Sequence, residues 1–144
     1  MARQPDLAAI TANNQGVGHM GRYDYEAARA VFAILSRDYP GEPDFRANLA
    51  IAQMNRQREG DEDQALALFQ ALLEEAPEND RVRYCAGLLE FRRGQLEDAA
   101  DHFSEVLRLD PEDAYAAYFL GQTLQQRARH ESALQWYRHA VDTD

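Results

Sequence analysis

The chain has 144 residues, 45% hydrophobic and 28% charged, enough for one ordinary domain with a core and too apolar to stay disordered. Its formal charge is −10, and an acidic surface repels a phosphate backbone, so nucleic acid is not an expected partner. A single cysteine, Cys85, excludes an internal disulfide framework and a Cys-only zinc site, and no apolar run approaches the ~18 residues that span a bilayer.

The N-terminal MARQPDLAAI holds no apolar signal core, which leaves cytoplasm and periplasm both open as compartments. The first expected helix runs from Leu7 to about Met20, with Asp6 as N-cap after Pro5. Its partner runs from about Tyr25 to Asp38, capped by Asp24 and stopped before Pro40 and Gly41. Pro43 to about Gln57 and Glu62 to Glu75 form the next pair, with Asp61 as cap and Gln64 as its return partner. Asn79 caps a helix that reaches about Arg92 and ends at Gly94, and Leu96 to Leu109 follows. Asp113 to about Ala128 and Glu131 to Val141 complete a fourth pair. The connections are short, so the expectation is eight helices in four antiparallel hairpins, with no strand and one continuous core.

These pairs repeat. Ala28/Phe32/Pro40, Ala65/Phe69/Pro77 and Ala99/Phe103/Pro111 share one spacing, and a fourth copy begins at Ala133/Tyr137. Ala65, Ala99 and Ala133 lie 34 residues apart, while Ala28 and Ala65 lie 37 apart. A fixed period in this range marks stacked helical hairpins. Small residues belong where two helices cross closely; Gly16, Ala50, Gly87 and Gly121 hold that place in the first helices, and Gly87 is expected to touch Ala99. The three extra residues of the second unit are expected in its turn, REGDED, as an exposed acidic loop.

At these residues the chain resembles the tetratricopeptide repeat (TPR) family. The resemblance covers residues 9–144 in units of about 9–42, 43–79, 80–113 and 114–144, the last truncated, after an extension of residues 1–8. The unit from Asp80 to Asp113 fits best, with Gly87, Ala99, Phe103, Pro111 and the run LEDAADHF. No Trp opens any unit; Ala12, Arg46, Arg83 and Ala117 stand there, and His19 takes a place usually held by Tyr. The resemblance implies an all-α fold, a right-handed superhelix (α-solenoid) of about four hairpins. More loosely, ANNQGVGHMGRYDYEAA is similar to TPR segments that precede large secreted bacterial β-propeller-like proteins, which would make this chain a piece of a larger bacterial protein.

Several chemical readings fail on their context. Gly16 to Gly21 read GVGHMG, a literal G-x-G-x-x-G, but TANNQ before it is no strand. His19, His102, His130 and His139 do not pair at the i+3 or i+4 spacing of metal ligands. Cys85 in an apolar helix reads as a small buried hydrophobe, and the many carboxylates as a solvated face. No catalytic residue, metal or cofactor is expected, and the chain does not read as an enzyme.

The first helices carry the interesting surface. Their i, i+4, i+7 stripes read Asn13, Val17, Met20; Ala47, Ile51, Met54; Tyr84, Leu88, Phe91; and Tyr118, Gln122, Gln125. The resemblance implies that these line a concave groove bordered by Asn48, Arg81 and Tyr115, with Asn48 exposed, and that a partner peptide or protein segment binds there, its backbone bonded by Asn48 together with Asn13 and Asn55. Some members of the family grip a peptide's C-terminal carboxylate with Lys, Asn, Asn, Lys and Arg. Asn48 matches one Asn and Arg81 could replace one Lys, but Asn13, Val17 and Cys85 stand at the other places, so that clamp is incomplete. The alternative is self-assembly: Leu134, Tyr137 and Val141 are expected to face outward and to meet further repeats or a second copy across a two-fold contact.

Overall fold

The computed structural model describes residues 3–142. They form seven helices and no strand: α1 (Leu7–Gly21), α2 (Tyr25–Asp38), α3 (Pro43–Arg56), α4 (Asp61–Glu75), α5 (Asp80–Arg92), α6 (Leu96–Leu109) and α7 (Ala114–Asp142). Three expected caps, Asp6, Asp24 and Asn79, hold, and Asp113, expected as the first residue of its helix, caps it instead. Asp6 accepts from the Ala9 amide at 2.9 Å, Asp24 from Ala27 at 3.2 Å, Asn79 from Val82 at 3.2 Å and Asp113 from Ala116 at 3.0 Å.

The chain divides into two compact units, the first ending at Val82 and the second beginning at Arg83. In the first, Phe32, Leu35, Tyr39 and Phe45 are buried with Ala9, Ala28 and Ala52. The α1/α2 hairpin closes where Gly16 faces the Phe32 ring; a Cβ on Gly16 would sit 2.7 Å from that ring. In the second unit, Leu89, Ala99, Phe103 and Val106 are fully buried, and Gly87 faces Phe103 as Gly16 faces Phe32, its added Cβ 2.8 Å away. The atoms nearest a Cβ at Gly87 belong to the Phe103 ring. The buried Glu90 carboxylate meets a ring nitrogen of His102 across the same hairpin.

Two expectations about the second hairpin are corrected. Asp61 does not cap α4; Gly60 holds that place without a side-chain bond, and Asp61 is only 2% exposed. Its carboxylate instead accepts from the Arg56 guanidinium at 2.7 and 2.8 Å and from the Arg58 amide at 2.9 Å. REGDED is consequently not all loop, since its last three residues, Asp61, Glu62 and Asp63, form the first turn of α4. Gln64 turns its amide oxygen to Gln53 at 2.8 Å instead of reaching back to a cap.

The larger correction concerns the fourth pair. Residues Ala114 to Asp142 form one continuous helix, so there are seven helices and three hairpins among the described residues instead of eight and four. The cause lies in one register position. Five residues before each repeat Ala, the chain turns through a left-handed residue: Tyr23 at φ 62, Gly60 at φ 82 and Gly94 at φ 78. The matching place before Ala133 is Ala128, and RARHE around it holds no Gly, Asn, Asp or Pro. Ala is the strongest helix former and is strained in the left-handed region, so the helix runs on.

Candidate functional site

The first unit presents a polar chain across three first helices. Asn48 on α3 donates through Nδ2 to Asn13 Oδ1 on α1 at 3.3 Å, and Arg81 at the start of α5 donates through Nη2 to Asn48 Oδ1 at 2.7 Å. Asn48 is 7% exposed, which corrects the expectation of an exposed amide: its side chain is held between neighbours from both sides. Arg81 itself is exposed, and Val17, one turn along from Asn13, is 51% exposed. Met20 is half-buried against the core, Ile51 and Asn55 are half-buried, and Met54 is buried at 6%. The surface thus reduces to Val17, Arg81 and the flanks of Asn13, Ile51 and Asn55.

At the far end of α3, four charges interlock. Glu26 of α2 approaches Arg56 at 3.6 Å and Arg58 at 2.5 Å, while Arg56 grips Asp61. The Arg56 guanidinium, reinforced by the Arg58 amide, holds the Asp61 carboxyl below the usual carboxylate range. Every charge in this group has a partner, and it welds the α3/α4 turn.

The second unit behaves differently from its sequence pattern. Tyr84 turns inward: its ring lies 5.9 Å from Phe103 and 6.2 Å from Phe119. Phe91 lies 5.9 Å from Phe119, and Phe103 stacks on Phe119 at 6.0 Å. Burial pushes the Tyr84 phenol above its usual pKa. Leu88 and Gln122 are half-buried, whereas Tyr115 and Tyr118 are 73% and 60% exposed. Phe119, at the centre of this aromatic cluster, escaped the stripe pattern; its signal is that it occupies the repeat register of Asn48 and Cys85, where the earlier units carry polar or small side chains.

Leu134 and Tyr137, on the continuous α7 and not on the outer helix of a fourth hairpin, are 44% and 73% exposed, and Trp136 is 73% exposed; the side chain of Val141 lies outside the described residues. GVGHMG lies inside α1, and no group of three metal-ligating side chains converges among the described residues. No helix among them is long and apolar enough to cross a membrane.

The sequence model of the tetratricopeptide repeat matches residues 13–80, 54–114 and 84–144. BBSome complex member bbs-4 of Caenorhabditis elegans is 31% identical over 83 residues, covering 58% of this chain and 18% of that protein. The chain thus spans under a fifth of that relative's length. Among solved structures, the first TPR of Spaghetti (RPAP3) bound to the HSP90 peptide SRMEEVD superposes with a TM-score of 0.75 at 19% identity, over 83% of this chain and 93% of that one. The Yersinia enterocolitica type III secretion chaperone SycD, in complex with a peptide of the translocator YopD, gives 0.72 at 14% identity over 85% and 97%.

Proposed function

The chain belongs to the tetratricopeptide repeat family, and we propose that it is a protein-interaction scaffold whose first-helix faces receive a partner's peptide segment. The observation that carries this reading is the Asn13–Asn48–Arg81 chain, which draws on α1, α3 and α5 and ends in the exposed Arg81, with exposed Val17 one turn along α1 from Asn13. A buried, bonded Asn48 keeps Arg81 in one orientation, so a partner carboxylate meets a preset donor instead of a mobile side chain. The partner chemistry that fits is a segment with one acidic group for Arg81 and apolar side chains for Val17 and Ile51. The proteins that this fold resembles bind peptides in two of the structures named above, which supports the same use here.

The test is a displayed random-peptide library panned on the chain. Selected peptides should carry an Asp or Glu, and Arg81→Glu and Val17→Asp should each weaken their binding about tenfold, or ~1.4 kcal/mol. Selected peptides that bind both variants as well as the parent would show that this face is not the site.

A second reading is self-assembly. It is favoured by the exposure of Leu134, Trp136 and Tyr137 together on the last part of α7.

A further inference from the structure

The repeat leaves one notch without its filling. Gly16 is met by Phe32 and Gly87 by Phe103, each sixteen residues on, and both glycines are buried. The same interval from Gly121 leads to Tyr137. Yet Gly121 is exposed, and a Cβ there would meet nothing within 4 Å. Tyr137 is 73% exposed on the same helix, because α7 runs straight through Ala128. Around Gly121 the stripe Ala117, Tyr118, Gly121 and Leu124 is all exposed, and residues 114–126 contain no charged side chain in a protein that is 28% charged. Tyr118 holds the register of Tyr84, whose ring packs against Phe103 in the completed hairpin. The surface is thus built to receive an aromatic helix, and a helix with the matching register is present in every copy of the chain.

Resting on the self-assembly reading, we infer that the last part of α7 of one copy, bearing Leu134 and Tyr137, docks in trans on the Gly121 stripe of another copy as the missing second helix of its fourth hairpin. Supply in cis requires the chain to reverse at Ala128, where an L-residue with a Cβ would take the left-handed conformation. Supply in trans leaves α7 intact.

The geometry also sets the symmetry. Sixteen residues at ~100° each place Tyr137 about 160° around the helix from Gly121, so notch and plug face nearly opposite sides. Two straight α7 helices lying side by side cannot fill both notches at once. The contact is heterologous: each copy receives one neighbour and offers itself to another, and the assembly grows head to tail. This departs from the two-fold contact expected from the sequence.

Light scattering over a hundredfold range of concentration tests it. The parent should grow beyond two chain masses, from 16.4 kDa upward. Gly121→Leu fills the notch and Tyr137→Glu spoils the plug. Both positions are exposed, so helicity by circular dichroism should match the parent, and each variant alone should stay at one chain mass. Mixed in equal amounts, they retain one good notch and one good plug between them and should form a species of two chains and no larger. A parent that remains a single chain throughout overturns the self-assembly reading and this inference together. Growth that stops at two chains, or that persists undiminished in either variant, overturns this inference alone.

Discussion

At the scale of single residues, close contacts decide which substitutions matter. Gly87→Ala would push a methyl group to 2.8 Å from the Phe103 ring, which is stacked on Phe119 and cannot swing away. A loss of about 1–3 kcal/mol is expected in urea unfolding. Asp61 offers a second case. Asp61→Asn keeps the shape but removes the anion held by Arg56 and the Arg58 amide, and should cost about 3 kcal/mol at neutral pH, the low end for a broken buried pair because Glu26 still faces Arg56. The folded-state pKa of Asp61 is depressed, so its contribution is complete above the ordinary carboxylate value of about 3.9 and is lost as pH falls through the lower folded value. The stability gap between parent and Asp61→Asn should accordingly narrow between pH 5 and pH 2; a gap constant across that range would mean that the carboxylate charge is not what stabilises the turn. Arg46 shows how a departure from a family pattern is absorbed: standing where Trp is usual, it reaches Glu75 with paired bonds of 2.9 and 2.6 Å.

At the scale of elements, the left-handed residue five places before each repeat Ala governs whether two helices form a hairpin. Tyr23 adopts φ 62 with a Cβ, and Tyr23→Gly should stabilise the first hairpin by up to about 1 kcal/mol, read as a raised unfolding midpoint. At Ala128 the converse applies. Ala128→Gly weakens the helix by about 1 kcal/mol and admits the turn, so the last part of α7 can close on its own Gly121; concentration-dependent growth by light scattering should then diminish. Six of the helices were legible from spacing, caps and Pro stops, because those signals act within a few residues of where they stand. The straight α7 was not legible from the Ala133/Tyr137 match, since a repeat register records which residues would pack and not whether the chain turns between them. The information was present at Ala128, but as the absence of a turn residue. The groove was read less well. Asn48 and Tyr84 fall on the right stripe, yet both are drawn inward, Asn48 by Asn13 and Arg81 and Tyr84 by Phe103 and Phe119. A periodicity of 3.6 names a face; partners from other helices decide which way a side chain on its border leans.

At the scale of the whole molecule, the formal charge of −10 opposes any contact between copies. The contact proposed at Gly121 has an apolar, charge-free receiving stripe, which leaves the charges of the docking segment, Arg129, Glu131 and Arg138, no opposite charge within residues 114–126 to pair with. Raising ionic strength shortens the screening length from about 30 Å at 0.01 M to about 8 Å at 0.15 M, which weakens repulsion between whole chains and leaves burial intact. The weight-average mass at fixed concentration should therefore rise with salt. A mass that falls instead would identify ion pairs as the driving contact. Binding of an acidic peptide at Arg81 should show the opposite trend, weakening as salt rises, because a single exposed guanidinium supplies the attraction. The two activities are thus separable in one titration.

The unbroken α7 has a mechanical consequence. At 1.5 Å per residue its 29 residues reach about 43 Å, whereas the same residues folded at Ala128 would extend about half that distance. One side chain at position 128 therefore acts as a length setting. With Ala the last part of α7, exposed from Leu124 to His139, continues in line with the first, and with a turn-forming residue it would fold back on it. A single-base change of an alanine codon to a glycine codon suffices to move between the two, so related chains could differ in reach, and in how far apart they hold whatever they tether, while keeping every core residue the same.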